Sequence, residues 1–358
     1  MTKRLVFGLL MGAMLFALLP VQANFLAADD AAWTSVKPSV ITLSKDNPVS
    51  PAFKATSVGG DFISLPVGNP KGLPIMVNSQ KIMVDKDLTG KFEFTAAQGE
   101  KSTPFQVTLV YPNGEKVRHW FVIFKDGSNW AMRRNSGVSF SFEGGKVAVL
   151  DDNNNGIYGE ESEDGLYSND SWGAPLGRLA MINGKIFEIQ INDSATELKY
   201  RPYTGPLGSV DICKEWTGKS VPKSVIVKGS TGAGTAYFDV AGKAPVSIPV
   251  GSYTLVRAYF DDVEIFPANT SFSTSEGNVA TMKWGMKLEL RASVNVDSAG
   301  KKFSILPMPQ VFGCSGEQYK GAFMEGARFQ YTVTCCTANG QPVGKTINWT
   351  ISSGSGGG

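Results

Sequence analysis

The sequence has 358 residues, with 34 Lys and Arg against 32 Asp and Glu. A formal net charge of +2 gives no electrostatic reason to expect a nucleic acid or an acidic membrane surface as partner. With 40 Gly, 19 Pro and 42% hydrophobic residues, the chain is rich in turn formers yet apolar enough for packed cores, which excludes a disordered or low-complexity protein, and its length suits two or three domains.

The chain opens Met1-Thr2-Lys3-Arg4, continues through an apolar Leu5 to Leu19 segment and reaches Pro20-Val21-Gln22-Ala23. A basic start, an apolar core too short to span a bilayer comfortably and small residues at Val21 and Ala23 predict a signal peptide over 1–23, cleaved after Ala23. No cysteine follows the apolar core, and no later run has the length and apolarity of a transmembrane helix, so the expected location is secreted or periplasmic. In that oxidising setting the four cysteines, Cys213, Cys314, Cys335 and Cys336, are disulfide candidates. Neighbouring strand residues point to opposite faces, which disfavours a Cys335 to Cys336 bond. The leading expectation is one bridge from Cys314 to Cys335 or Cys336.

From Asn24 to Lys45 the sequence reads as a leader, with Phe25 to Ala32 its one helix-like piece. Beyond it, Lys81 to Val84, Lys91 to Thr95, Phe105 to Tyr111 and Val117 to Phe124 have strand composition. Pro112-Asn113-Gly114-Glu115 joins the last two as a hairpin. Val138 to Phe142 alternates polar and apolar residues, and Lys146 to Leu150 leads into a loop unlike anything else in the chain. After it, Arg178 to Ile182, Asn183-Gly184 and Lys185 to Ile191 form another hairpin pattern. Residues 24–212 are thus expected to be an N-terminal β-sandwich region.

The loop spans 151–164 and has the composition of a metal site. Counting Asp151 as position 1 places Asn153 at 3, Asn155 at 5 and Gly156 at 6, the order in which an EF-hand-type loop presents oxygens and then turns. Ile157 can supply its backbone carbonyl at position 7. Position 12 is Ser162 rather than Glu, so the closing carboxylate must come from Glu161, Glu163 or Asp164. The expected ligand set for Ca2+ is Asp151, Asn153, Asn155, Ile157, Glu161 and Asp164. A metal-free polar hairpin loop is the alternative, because Asn, Asp and Gly favour turns without any ion. A fainter echo, Asp85-Lys86-Asp87-Leu88-Thr89-Gly90, offers Asp85, Asp87 and Thr89 as a possible second metal set or as an ordinary turn.

From Val221 the texture changes to evenly spaced short strands: Ser224 to Lys228, Thr235 to Val240, Val246 to Pro249, Ser252 to Phe260, Ser271 to Thr274, Asn278 to Trp284 and Lys287 to Val296. Even spacing of this kind predicts a sandwich over 213–296. Within it, Pro249, Gly251, Tyr253 and Leu255 form a P-x-G-x-Y-x-L segment that resembles transthyretin-like and carboxypeptidase-regulatory-like sandwich domains. That resemblance implies a small accessory module without catalysis of its own. Residues 297–351 hold a further β region, with Phe329 to Thr334 and Lys345 to Ile351 flanking Asn339-Gly340, and 352–358 reads as a flexible tail. The combination of acidic loop, Pro-Gly-Tyr strand and Gly316-Glu317-Gln318-Tyr319 turn resembles uncharacterised secreted bacterial multi-sandwich proteins.

Catalytic patterns are scarce. His119 is the one histidine, it sits mid-strand, and no nucleophile elbow accompanies it. Glu160, Glu161, Glu163 and Asp164 lie in one loop, whereas glycoside hydrolysis needs two carboxylates across a cleft. Trp120, Trp130, Trp172, Tyr158, Tyr167 and Tyr203 surround the loop in sequence. Exposed, they would stack on sugars, with Trp130 and Trp172 as candidate ligand-binding residues; buried, they would fill the core. The expectation is an all-β protein of two or three Ig-like or transthyretin-like sandwiches in tandem. Its expected role is non-catalytic: a calcium-stabilised structural or interaction protein with an unidentified protein or glycan partner, or alternatively a carbohydrate-binding protein.

Overall fold

The structure, a computed structural model, describes residues 32–43, 55–97, 103–168, 173–216, 221–260, 263–267, 270–285, 289–291, 294–296, 303–305, 310–320, 329–333, 339, 341 and 347–351. Among these residues there are 32 strands and no helix. The strands build separate, predominantly antiparallel sheets that pack as β-sandwiches around three hydrophobic cores. No helix among the described residues is long and apolar enough to cross a membrane. The expected signal peptide (1–23) and the tail (352–358) lie outside the described residues.

In the first sandwich one sheet runs Phe62–Ile63, Leu73–Val77, Lys81–Val84, Phe94–Ala97. The facing sheet runs Thr56–Val58, Asn129–Arg134, Lys116–Asp126, Thr103–Val110. Strand period two turns Phe105, Val107 and Leu109 inward with Phe121 and Ile123, where they meet Leu73, Ile75, Ile82 and Val84. The Asn113-Gly114 turn forms as its sequence predicts: Gly114 has φ +85° and its amide donates to the Tyr111 carbonyl at 2.9 Å.

The second sandwich sets Ser39–Thr42, Ser136–Phe142, Gly145–Leu150, Gly165–Ser168 and Ala174–Pro175 beside the sheet Thr34–Val36, Leu198–Pro202, Lys185–Ile191, Leu179–Ile182. Val138, Phe140, Val149, Phe187, Ile189 and Leu198 form its core. The stretch expected as one region over 24–212 therefore holds two cores, and the expected leader supplies an edge strand to each sheet of the second.

In the third sandwich Val246–Pro249, Leu207–Asp211 and Val279–Thr281 form one sheet. The other is eight-stranded, with Gly234–Asp239, Ser224–Thr231 and Gly251–Phe260 at one end and Gln318–Lys320, Gln310–Phe312 and Glu289–Arg291 at the other. Val210, Ile212, Val225, Phe238, Leu255, Trp284, Val311 and Tyr319 share its core. The boundaries expected at 213 and 297 thus fall inside a sandwich, because apolar residues on both sides of each bury against one another. The P-x-G-x-Y-x-L segment has a local cause. The Tyr253 hydroxyl donates to the Pro249 carbonyl at 2.8 Å, and a Cβ on Gly251 would lie 2.6 Å from the Ser230 carbonyl oxygen.

Candidate functional site

Loop 151–164 leaves the second sandwich after Leu150 and returns at Gly165, its opposite number across the strand pair. Between those points it touches all three sandwiches. Towards the first, the Tyr111 hydroxyl donates to the Gly156 carbonyl at 2.8 Å, the Thr56 hydroxyl to the Asn153 carbonyl at 3.1 Å, and the Arg134 amide to Asn154 Oδ1 at 2.7 Å. Towards the second, the Tyr158 amide donates to the Asp193 carbonyl at 2.8 Å and the Ser162 amide to the Leu176 carbonyl at 2.9 Å. From the third, the Tyr237 hydroxyl donates to Ser162 Oγ at 2.8 Å.

The sharp turn at position 6 forms as predicted. Gly156 has φ +84°, and a Cβ there would stand 2.7 Å from Pro66 Cδ, so both conformation and space require glycine. Asp151 organises the turn through both carboxylate oxygens. Its Oδ1 accepts the Asn155 amide at 3.1 Å and its Oδ2 the Gly156 amide at 2.8 Å. Asn153 Oδ1 accepts the Asn155 amide at 3.0 Å, and Asn155 Oδ1 the Ile157 amide at 2.7 Å.

A cation already stands beside Asp151, and it is a side chain. Arg134, at the end of the strand Asn129–Arg134, is fully buried and pairs through Nη2 with Asp151 Oδ2. Its Nη1 donates to the Tyr158 hydroxyl at 2.6 Å, and its guanidinium lies over the rings of Phe121 and Tyr158, at 4.9 and 4.7 Å from their centroids. Burial alone would lower the Arg134 pKa, but Tyr158 and Asp151 outweigh it and raise the value. His119 packs against Tyr158 in a tilted arrangement with ring centroids 5.5 Å apart, is 1% exposed and is driven down to a pKa of about 2, by burial first and by the Arg134 charge second. It is a neutral packing residue.

One arginine does not balance the site. Asp151, Asp152 and Asp164 are all buried, whereas Arg134 is the one buried Lys or Arg among the described residues. Asp164 Oδ2 accepts the Glu160 amide at 2.9 Å, but its Oδ1 is buried with no hydrogen-bond partner, and so is Oδ1 of Asp152. Burial, with the Asp151 charge adding to it, pushes Asp164 up to about 8 and Asp152 to about 7; a Tyr167 hydrogen bond pulls Asp152 back in part. Such groups take up protons or a cation, because an unpaired buried carboxylate is costly.

Of the expected ligands, the structure brings Asn153 and Asn155 together, but around Glu160 rather than Glu161. Their side-chain amides donate to Glu160 Oε2 at 3.1 and 2.6 Å. Glu161 instead turns outward and pairs with Arg178. The reason is the chain's path: Gly159, at φ +81°, lies so close to the Ile191 carbonyl that a Cβ would come within 2.4 Å, and this bend redirects the residues after it. Ile157 follows in the turn, its amide donating to Asn155 Oδ1 at 2.7 Å.

The second expected set does not converge. Asp85 accepts the Thr89 and Gly90 amides, each at 2.9 Å; Asp87 pairs with Lys86; the Thr89 hydroxyl donates to Glu93. These contacts make the segment an ordinary turn closed by its own side chains. Trp130, expected as a ligand platform, is 3% exposed, donates to the Asn78 carbonyl at 3.2 Å and packs in the first core, so it cannot stack on a sugar. Trp172 lies outside the described residues. Cys213 and Cys314 are free thiols among the described residues, and Cys335 and Cys336, the expected partners of Cys314, lie outside them.

Arg134 has no place in the sequence reading, and Glu160 is named there only among the loop carboxylates, outside the expected ligand set. A signal exists for Arg134, since consecutive Arg133 and Arg134 in a strand point to opposite faces and one must face inward. Of the aromatics that the sequence leaves open between core and surface, Trp120 is 39% exposed.

Fold and loop together define a multi-sandwich β protein whose acidic loop clasps three cores. No family model matches the chain, and no curated protein or solved structure matches it either.

Proposed function

We propose that this is an exported, non-catalytic structural and interaction protein of the cell envelope or extracellular space, in which loop 151–164 holds a calcium ion and locks the sandwiches together. The observation that carries this reading is the loop's set of contacts to all three sandwiches, combined with a buried charge imbalance that a divalent cation would remove. Asn153, Asn155, Glu160 and Asp164 would hold the ion, together with the Ile157 carbonyl. Each Asn oxygen keeps a second lone pair beside the amide it already accepts, and Asp164 has an unpartnered buried oxygen. The donor set is all oxygen, as a hard cation requires. Asp151 would act alongside as the anchor of Arg134. Bound calcium contributes charge neutralisation and stabilises the native chain by binding it alone.

The neutral, buried His119 supports a packing role for that residue rather than a catalytic one. The test is elemental analysis of the purified protein alongside thermal melts with EDTA and with added calcium. One calcium per chain and a higher melting temperature in calcium are expected, with Glu160→Gln reducing both. Equal melting temperatures and no bound metal would remove calcium from the proposal.

A further inference from the structure

On the strand Lys116–Asp126 the alternation is sharp: Arg118 and Trp120 are exposed while His119 and Phe121 are buried. Trp120 is paired across the sheet with Gln106, and Arg118 with Thr108. These four side chains, with Lys86 and Asp87 from the neighbouring turn, line an open cleft of about 460 Å³ on the first sandwich. The indole is 39% exposed, and the cleft sets it among these polar side chains and the apolar Phe94, Pro104 and Phe105.

The charges in the cleft are unequal. Lys86 and Asp87 satisfy one another at 2.6 Å. The Arg118 guanidinium makes no ion pair among the described residues, and no hydrogen bond of the Gln106 or Thr108 side chain is found there. The cleft therefore offers an exposed indole face beside apolar lining, one cation without an ion pair and two uncharged polar groups. A protein partner would call for several buried anchors over a much larger area. A sugar ring needs what is present: an apolar C–H face to lie on an indole, and hydroxyls for polar side chains at its rim. The uncommitted guanidinium adds a preference, because its planar fork matches a carboxylate in two parallel hydrogen bonds.

We propose that the cleft around Trp120 and Arg118 binds a saccharide carrying a carboxylate, a uronic-acid unit stacked on Trp120 with its carboxylate on Arg118. This site is separate from the acidic loop and stands whether or not that loop takes calcium.

The test is isothermal titration of the full mature chain with a trigalacturonate and, in parallel, with the neutral cellotriose. Saturable binding of the uronate is expected, weakened about tenfold or more by Trp120→Ala and largely retained by Trp120→Phe. Arg118→Gln should remove the preference for the acidic over the neutral trimer while leaving residual stacking. Melting temperatures of the variants report folding, and the Phe variant keeps the test valid if the Ala variant is destabilised. No saturable binding of either trimer overturns the proposal, as does binding that Trp120→Ala leaves unchanged. Equal affinity for both trimers overturns the carboxylate preference. Concentration-dependent dimerisation abolished by Trp120→Ala, with no saccharide binding, would assign the face to a second copy of the chain.

Discussion

Arg134 and Asp151 form an ion pair with both side chains wholly excluded from solvent, one on the last residue of a first-sandwich strand and the other on the first residue of the loop leaving the second. The pair is therefore a charged bridge between two hydrophobic cores. Its worth lies less in net stability than in geometry, since two desolvated charges gain little over apolar residues but fix one arrangement once both are present.

Removing one partner strands the other. Arg134→Met and Asp151→Asn are each expected to cost about 3–5 kcal/mol, and the double variant distinctly less than their sum. Urea unfolding of the four proteins gives the cycle. Additive losses would show that the two residues act independently.

The raised pKa values of Asp152 and Asp164 give stability a definite pH slope. In the unfolded chain an Asp titrates near 3.9, whereas in the folded chain these two titrate at about 7 and about 8. Between those limits the native state holds more protons than the unfolded state, so without metal stability falls as pH rises from about 4 through about 8. Calcium competes with the protons, so the rise in melting temperature on adding it should grow over the same interval. Melts in EDTA and in calcium at several pH values check both trends. A calcium-free melting temperature that climbs across this window would contradict the burial argument.

Gly156→Ala introduces a methyl group against Pro66 at a φ of +84°. The expected loss is about 1–3 kcal/mol from backbone strain alone, with overpacking added to it. Gly114→Ala offers the control, because its φ is similarly positive at +85° but nothing lies within 4 Å of the added carbon. If the two variants lose equal stability, the close approach of the loop to the first core has no energetic weight.

The two tryptophans of the first sandwich should separate by kind of effect. Trp130→Ala removes a buried aromatic and is expected to cost about 3–5 kcal/mol. Trp120→Ala, on the exposed face, should stay within about 0.5 kcal/mol of the parent. Chemical denaturation of both variants makes the comparison, and a large loss at Trp120 would mean that its exposed ring contributes to the fold.

Local order carried the β class in the sequence. Alternation at Val138 to Phe142, the Asn113-Gly114 turn and the even spacing after Val221 all became strands and hairpins, because strand period and turn conformation are set within a few residues. Asp151, Asn153, Asn155 and Gly156 were legible for the same reason, since the turn they make is closed by their own neighbouring amides. The tertiary structure alone decided where one sandwich ends and the next begins, because Val210 and Val311 share a core across long separations. Tertiary placement also delivered Arg134 to Asp151, put Glu160 rather than Glu161 beside Asn153 and Asn155, and left Trp120 in solvent while burying Trp130. Burial is a property of the face a strand presents to its partners, and those partners are chosen by long-range packing rather than by the residues alongside.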